Sequence, residues 1–176
     1  MAAAVIDATV GGASANSFAT EAEADTYHES LIQNRVSSWV NADSTVKIPA
    51  LITAARIMDE RYEWRGFTAD EDQRLLWPRN GILDVLKISI IAEDVIPQRL
   101  KDAQSEFARI IIEDDPSVDN PVIVQGLTAL TAGPVSLKFK DSGIVDKVVP
   151  NRVRNMIPEW WGRIKGSGFV RETGTS

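Results

Sequence analysis

From Ile48 to Tyr62 the apolar residues Ile48, Leu51, Ile52, Ala55, Met58 and Tyr62 recur at intervals of three and four, and the spacing returns in Leu100, Ala103, Phe107, Ile110 and Ile111. That period belongs to helices with one apolar stripe, and a stripe is stable only when another element covers it. The first of these helices finds a start signal in Asn41 to Ser44 and tolerates Pro49 only in its first turn, where no backbone donor is missed. It should end near Trp64, before Gly66. The second is announced by Asp94-Val95-Ile96-Pro97 and stopped by Asp114-Asp115-Pro116. A third stripe of Phe18, Ala22, Ala24, Tyr27, His28 and Leu31 predicts a helix from a cap at Asn16 or Ser17 to about Gln33, with Glu21, Glu23, Asp25 and Glu29 mostly off the stripe. These three helices can share one core, and His28 reads as a packed or hydrogen-bonded member of it.

Beyond Pro121 the texture changes. Val135, Leu137 and Phe139 alternate with Ser136, Lys138 and Lys140, the period of a half-buried strand, in a hairpin turning near Ala132-Gly133-Pro134. PNRVRNMIPEWWGRI then predicts a short helix of about four turns, weakened by Pro158. The chain is therefore expected to be mainly α: a small helical bundle of three core helices plus a C-terminal helix, with a small β-hairpin and extended termini. Its 176 residues suffice for one domain. We divide them into an N-terminal arm (1–16), a helical domain (17–165) with its β element near 122–148, and a glycine-rich tail (166–176).

Composition removes most catalytic chemistry. There is no cysteine and a single histidine, and no phosphate loop, nucleophile elbow or zinc-protease signature. The expectation is a protein that is no enzyme, with no metal site and no cofactor. No apolar run approaches the roughly 20 residues that cross a bilayer, and the N-terminus lacks the pattern of an export signal, so no membrane partner is expected. The net charge of -6 is unevenly spread. Residues 1–46 carry six acids against Arg35, a net of -5, whereas 147–176 carry six bases against Glu159 and Glu172, a net of +4. Such polarity suits contact between identical subunits, or neutralisation within one monomer.

Two aromatic clusters carry the functional question. In RYEWRGFTADEDQRLLWPRNG, the residues Arg61, Trp64, Arg65, Phe67, Arg74, Trp77 and Arg79 interleave rings with guanidinium groups, the pattern that holds single-stranded nucleic acid. Asp59, Glu60, Glu63, Asp70, Glu71 and Asp72 in the same stretch oppose phosphate binding. The favoured reading makes Trp64, Trp77, Pro78 and Arg79 structural anchors, with Trp77 folded back onto the helix stripes and Arg79 reaching a carboxylate or a neighbour. In WWGRI, two adjacent tryptophans on one helix cannot face the same core. Trp160, Trp161, Arg163 and Phe169, with Arg152 and Arg154 of the basic end, are the expected partner contacts.

The ordered set SFATEAEADTYHESL, ALITAARIMDERYEWRG, LLWPRNG, VIPQRLKDAQSEFA and GPVSLKF resembles the head-tail connector, or adaptor, proteins of tailed bacteriophages over roughly residues 15–165. Many of those relatives carry a DnaT-like single-stranded DNA-binding label. Between LLWPRNG and VIPQ this chain carries LDVLKISIIAED, a longer link than the resemblance implies. The resemblance implies a mainly helical virion protein at the head-tail interface, assembled in the host cytoplasm. It further implies a self-associated ring, typically dodecameric, that binds the portal protein and a tail or further adaptor or nozzle protein. DNA would pass through the lumen during genome ejection without sequence-specific binding. The alternative is a DnaT-like single-stranded DNA-binding protein that uses Trp64, Trp77 and Arg79.

Overall fold

A computed structural model describes residues 4–32, 37–114, 129–132, 135–138 and 148–165. The fold is mainly helical: α1 (Glu21–Glu29), α2 (Ser38–Asn41), α3 (Ser44–Arg61), α4 (Gln98–Glu113) and α5 (Asn151–Met156). Three two-stranded antiparallel sheets accompany the helices among the described residues. They join β1 (Tyr62–Trp64) to β6 (Gly162–Ile164), β2 (Phe67–Thr68) to β3 (Arg79–Asn80), and β4 (Ala129–Ala132) to β5 (Val135–Lys138). In the β4–β5 hairpin the closing pair is Ala132 opposite Val135, which brackets the expected turn. None of the described helices is long and apolar enough to cross a membrane.

Helices α3 and α4 form the central pair, and α1, α2 and α5 pack against α4. The stripes of the two long helices meet in this core, where Leu51, Met58, Leu100 and Phe107 are buried with Phe18 and Trp39. Pro49 lies further into α3 than its first turn, at the sixth residue, where it removes one intrahelical donor. The α3 cap is Asp43, whose carboxylate accepts from the Thr45 amide at 2.9 Å. Helix α3 ends at Arg61, and Tyr62 to Trp64 turn into strand instead of extending it.

Helix α1 is shorter than its stripe suggests. Its cap is Thr20, in a reciprocal capping box with Glu23, and not Asn16 or Ser17. The reason is that both earlier residues are used elsewhere. The Asn16 side chain accepts from the Asp7 amide at 2.8 Å and donates to the Val5 carbonyl at 2.9 Å, which folds residues 4–16 back on their own chain. Ser17 accepts from Gln104, whose fully buried amide group is the polar centre of the core. Gln104 Oε1 accepts from the amides of Phe18 and Ala19 at 3.0 and 2.9 Å, while Nε2 donates to Ser17 Oγ at 2.6 Å and the Leu51 carbonyl at 2.8 Å. All four hydrogen-bonding positions of this side chain are used. His28 is also buried, stacked on Trp39 at 4.7 Å with Nε2 at 3.1 Å from the Ser105 carbonyl, and burial pushes its pKa down.

The predicted four-turn C-terminal helix is instead the six-residue α5. Pro158 biases the preceding residue away from helical geometry, and Ile157 is extended (φ -99°, ψ 121°). The chain then turns through Trp160 and Trp161 and pairs as β6 with β1, so that Tyr62 faces Ile164 and Trp64 faces Gly162.

Candidate partner and nucleic-acid surfaces

The segment Leu75 to Gly81 crosses the end of α3 and is tied there by polar contacts. The Leu76 amide donates to Asp59 Oδ2 at 2.9 Å, and burial pushes the Asp59 carboxyl up to about 6 despite that hydrogen bond. Trp77 is 1 % exposed and joined to Pro78 by a cis peptide bond. Arg79 is buried as well, but its guanidinium reaches no carboxylate. It donates to the carbonyls of Arg65 (2.5 Å), Leu76 (2.8 Å) and Gly66 (2.9 Å), and so holds the turn between β1 and β2 against β3. A planar five-donor fork satisfies converging carbonyls better than any other side chain. Gly66 makes this close approach possible: it has φ +67°, and a Cβ there would lie 2.2 Å from the Asn80 carbonyl oxygen.

The rings form one series. Tyr62 stacks on Trp64 at 4.6 Å, Trp64 meets Trp77 edge-on at 5.9 Å, and Trp77 lies 5.6 Å from Trp161. Trp161, expected at a partner surface, is 1 % exposed, and its indole donates to the Leu83 carbonyl at 2.8 Å. The half-buried Trp160 donates to the Asp84 carbonyl at 3.2 Å and lies under Lys87 Nζ at 4.1 Å. Adjacent tryptophans do point differently here. Both nevertheless bind the chain's own 83–87 segment, because the residues lie on a turn and not on a helix.

The basic residues are divided between structural and surface roles. Arg152 and Arg109 both reach the fully buried Glu106 Oε1, at 2.7 and 2.8 Å, which ties α5 to α4. Arg154 is partly exposed, and Arg163 is an exposed cross-strand partner of Glu63 at 2.8 Å. Phe169 lies outside the described residues. Thus the structure gathers Trp64, Trp77, Pro78, Arg79 and Trp161 into one anchor, while Arg152, Arg154, Trp160 and Arg163 are left wholly or partly at the surface.

Two surface features stand out beside these residues. One is a cleft of about 370 Å³ beside β1, lined by Tyr62, Trp64 and Leu76 and rimmed by Phe67, which is 78 % exposed. Exposed Arg65, Arg163 and Lys165 lie on the same or the facing strand ends. The other is the loop from Leu83 to Ile90, where Leu86 and Ile88 are 74 % and 78 % exposed and Leu83, Val85 and Ile90 are exposed with them. In the sequence, LDVLKISII is marked by its lack of periodicity and by the extra length of the link that contains it. Its backbone is well tied: the Ile91 amide donates to the Ile82 carbonyl, the Asp84 amide to the Ser89 carbonyl, and the Asp84 carboxylate accepts from the Ile88 amide and the Ser89 hydroxyl.

A family model described as "Putative DnaT-like ssDNA binding protein" matches residues 2–172. The chain belongs to this DnaT-like family. No curated protein and no solved structure matches it. The family description accords with the DNA-binding alternative and names no connector. Yet the indoles and the guanidinium singled out for that role, Trp64, Trp77 and Arg79, are buried in the DnaT-like domain. A base cannot stack on a ring face that the core already covers. Among the described residues, the exposed aromatic beside basic groups is Phe67.

Proposed function

We propose that the protein is a structural subunit of a phage head-tail connector, assembling with copies of itself and with a portal and tail protein around a DNA-filled lumen. The observation that carries this reading is the ordered apolar loop Leu83 to Ile90, exposed on a domain whose large aromatics are otherwise mostly spent on its own core. Tied-down apolar surface of this kind suits a protein contact. A net charge of -6 supports a wall that DNA slides past and does not adhere to. The reading assigns the chain no catalytic role, cofactor or membrane contact. Among the described residues no group of three or more His, Asp or Glu is placed to hold a metal.

The test is a mass measurement, by light scattering, of the purified chain alone and mixed with portal particles of the phage that encodes it. Comigration with the portal at defined stoichiometry is expected; a chain that stays separate from portal at every ratio refutes the reading.

The family description favours a second reading, single-stranded DNA binding. On this chain it would use Phe67 as the stacking surface, with Arg65 and Lys165 near the phosphates. Anisotropy of a labelled oligo(dT) separates the two. The connector reading expects binding no tighter than the non-specific range of about 10⁻⁴ to 10⁻⁶ M at physiological salt. Nanomolar binding abolished by Phe67→Ala would establish the second reading.

A further inference from the structure

We infer that the 83–90 loop of one copy inserts its apolar tip into the Tyr62–Trp64–Phe67 cleft of the next copy. The inference rests on the connector reading and gives it a subunit contact. The loop is convex and apolar at Leu86 and Ile88, and its two charged side chains are already engaged: Asp84 accepts from Ile88 and Ser89, and Lys87 lies over Trp160. The cleft is shallow and offers mainly Phe67, with Leu76 and the largely buried Tyr62 and Trp64 behind it. One chain thus presents both a knob and a recess. The Trp161 and Trp160 indoles fix the base of the loop through the carbonyls of Leu83 and Asp84, and no residue of 83–90 lines the cleft of its own chain.

The charges beside the two surfaces are complementary, as a contact between two copies requires. Exposed Glu93 and Asp94 follow the loop, whereas exposed Arg65 and Lys165 flank the cleft, so docking sets acids against bases. A contact between two different patches on identical subunits is heterologous, and such contacts close into rings when the rotation between neighbours allows.

The chain contains no cysteine, so engineered thiols report the contact without background. The full-length variants Leu86→Cys and Phe67→Cys, each at an exposed position, are mixed and oxidised at a concentration where sedimentation shows association. The expected product is the mixed 86–67 disulfide in clear excess over the 86–86 and 67–67 products. Separately, Leu86→Asp with Ile88→Asp should weaken self-association at least about tenfold, the loss expected when anchors leave an apolar pocket. The pair Arg65→Glu with Lys165→Glu should weaken it too, and recover on mixing with a Glu93→Lys, Asp94→Lys chain. Association that survives Leu86→Asp with Ile88→Asp overturns the loop contact and leaves the connector reading standing. A chain that stays monomeric at millimolar concentration overturns the contact, while comigration with portal still judges the wider reading. If oligo(dT) shields the Phe67→Cys thiol from labelling in a salt-dependent way and no mixed disulfide forms, the cleft is a nucleic-acid platform and the proposal is wrong.

Discussion

Replacing Gln104 by leucine removes every polar atom of a side chain that no solvent reaches, at nearly constant size. The acceptor lost is the one for the Phe18 and Ala19 amides, and neither amide has another partner among the described residues. The Leu51 carbonyl and the Ser17 hydroxyl each lose a donor, but Leu51 lies mid-helix and Ser17 keeps its bond to the Ala19 carbonyl. The main cost is therefore two orphaned buried donors at about 1–3 kcal/mol each, or about 4 kcal/mol together, because water cannot replace the lost acceptor. That is a large part of the roughly 5–15 kcal/mol available to a domain. It corresponds to a fall in Tm on the order of 10 °C for a chain of this size. Urea unfolding followed by tryptophan fluorescence measures the loss. Amide exchange gives the sharper test: the Phe18 and Ala19 amides should exchange faster relative to α3 than in the parent chain. A loss below about 1 kcal/mol, with those amides still protected, refutes the reasoning that Gln104 is the clamp.

The remaining predictions concern the anchor and its neighbours. Trp77→Ala should cost about 3–5 kcal/mol as a cavity in the core, whereas Trp77→Phe should cost less than half of that, since the Trp77 Nε1 donor has no partner to lose; equal losses in urea titrations would contradict this. The Asp59 carboxyl is raised from 3.8 to about 6, so the folded state binds its proton more tightly than the unfolded chain does. Its stabilising contribution is fully present below about pH 4 and is lost as pH rises through 6, by about 3 kcal/mol in all. Asp59→Asn, which keeps an acceptor for the Leu76 amide, should flatten the stability profile across that window; an unchanged slope counts against a buried, proton-binding Asp59. Gly66→Ala combines a positive φ with a clash against the Asn80 carbonyl, and should lower Tm more than alanine at Gly81, which has φ +78° but open space around it.

The long helices were legible because an eleven- to eighteen-residue stripe carries its own period, and α3 and α4 lie where the spacing of Leu51, Met58, Leu100 and Phe107 places them. The limits of α1 were not, since Asn16 and Ser17 are good caps in isolation and only the fold shows them committed to Asp7 and Gln104. Strands of two or three residues such as β1, β2, β3 and β6 have no readable alternation, and β1 finds its partner 100 residues further along the chain. For Arg79 the sequence suggested a carboxylate or a neighbour; three backbone carbonyls are invisible to any pattern of residue types. The surface features were hidden for the opposite reason. Leu86, Ile88 and Phe67 are apolar residues left outside, and an apolar residue read alone is assigned to the core.

The pairing of Tyr62–Trp64 with Gly162–Ile164 also has a meaning in time. A ribosome adding about 5–20 residues per second needs at least several seconds to travel from one strand to the other. Until β6 and Trp161 emerge, the faces of Trp64 and Trp77 that they cover stay bare, although α1, α3 and α4 are already made. The domain's seam is thus closed only after β6 has been made, well after the long helices. The same late segment supplies the Trp160 and Trp161 indoles that hold the 83–90 loop in place, so the loop acquires its fixed shape only after the body behind it has closed.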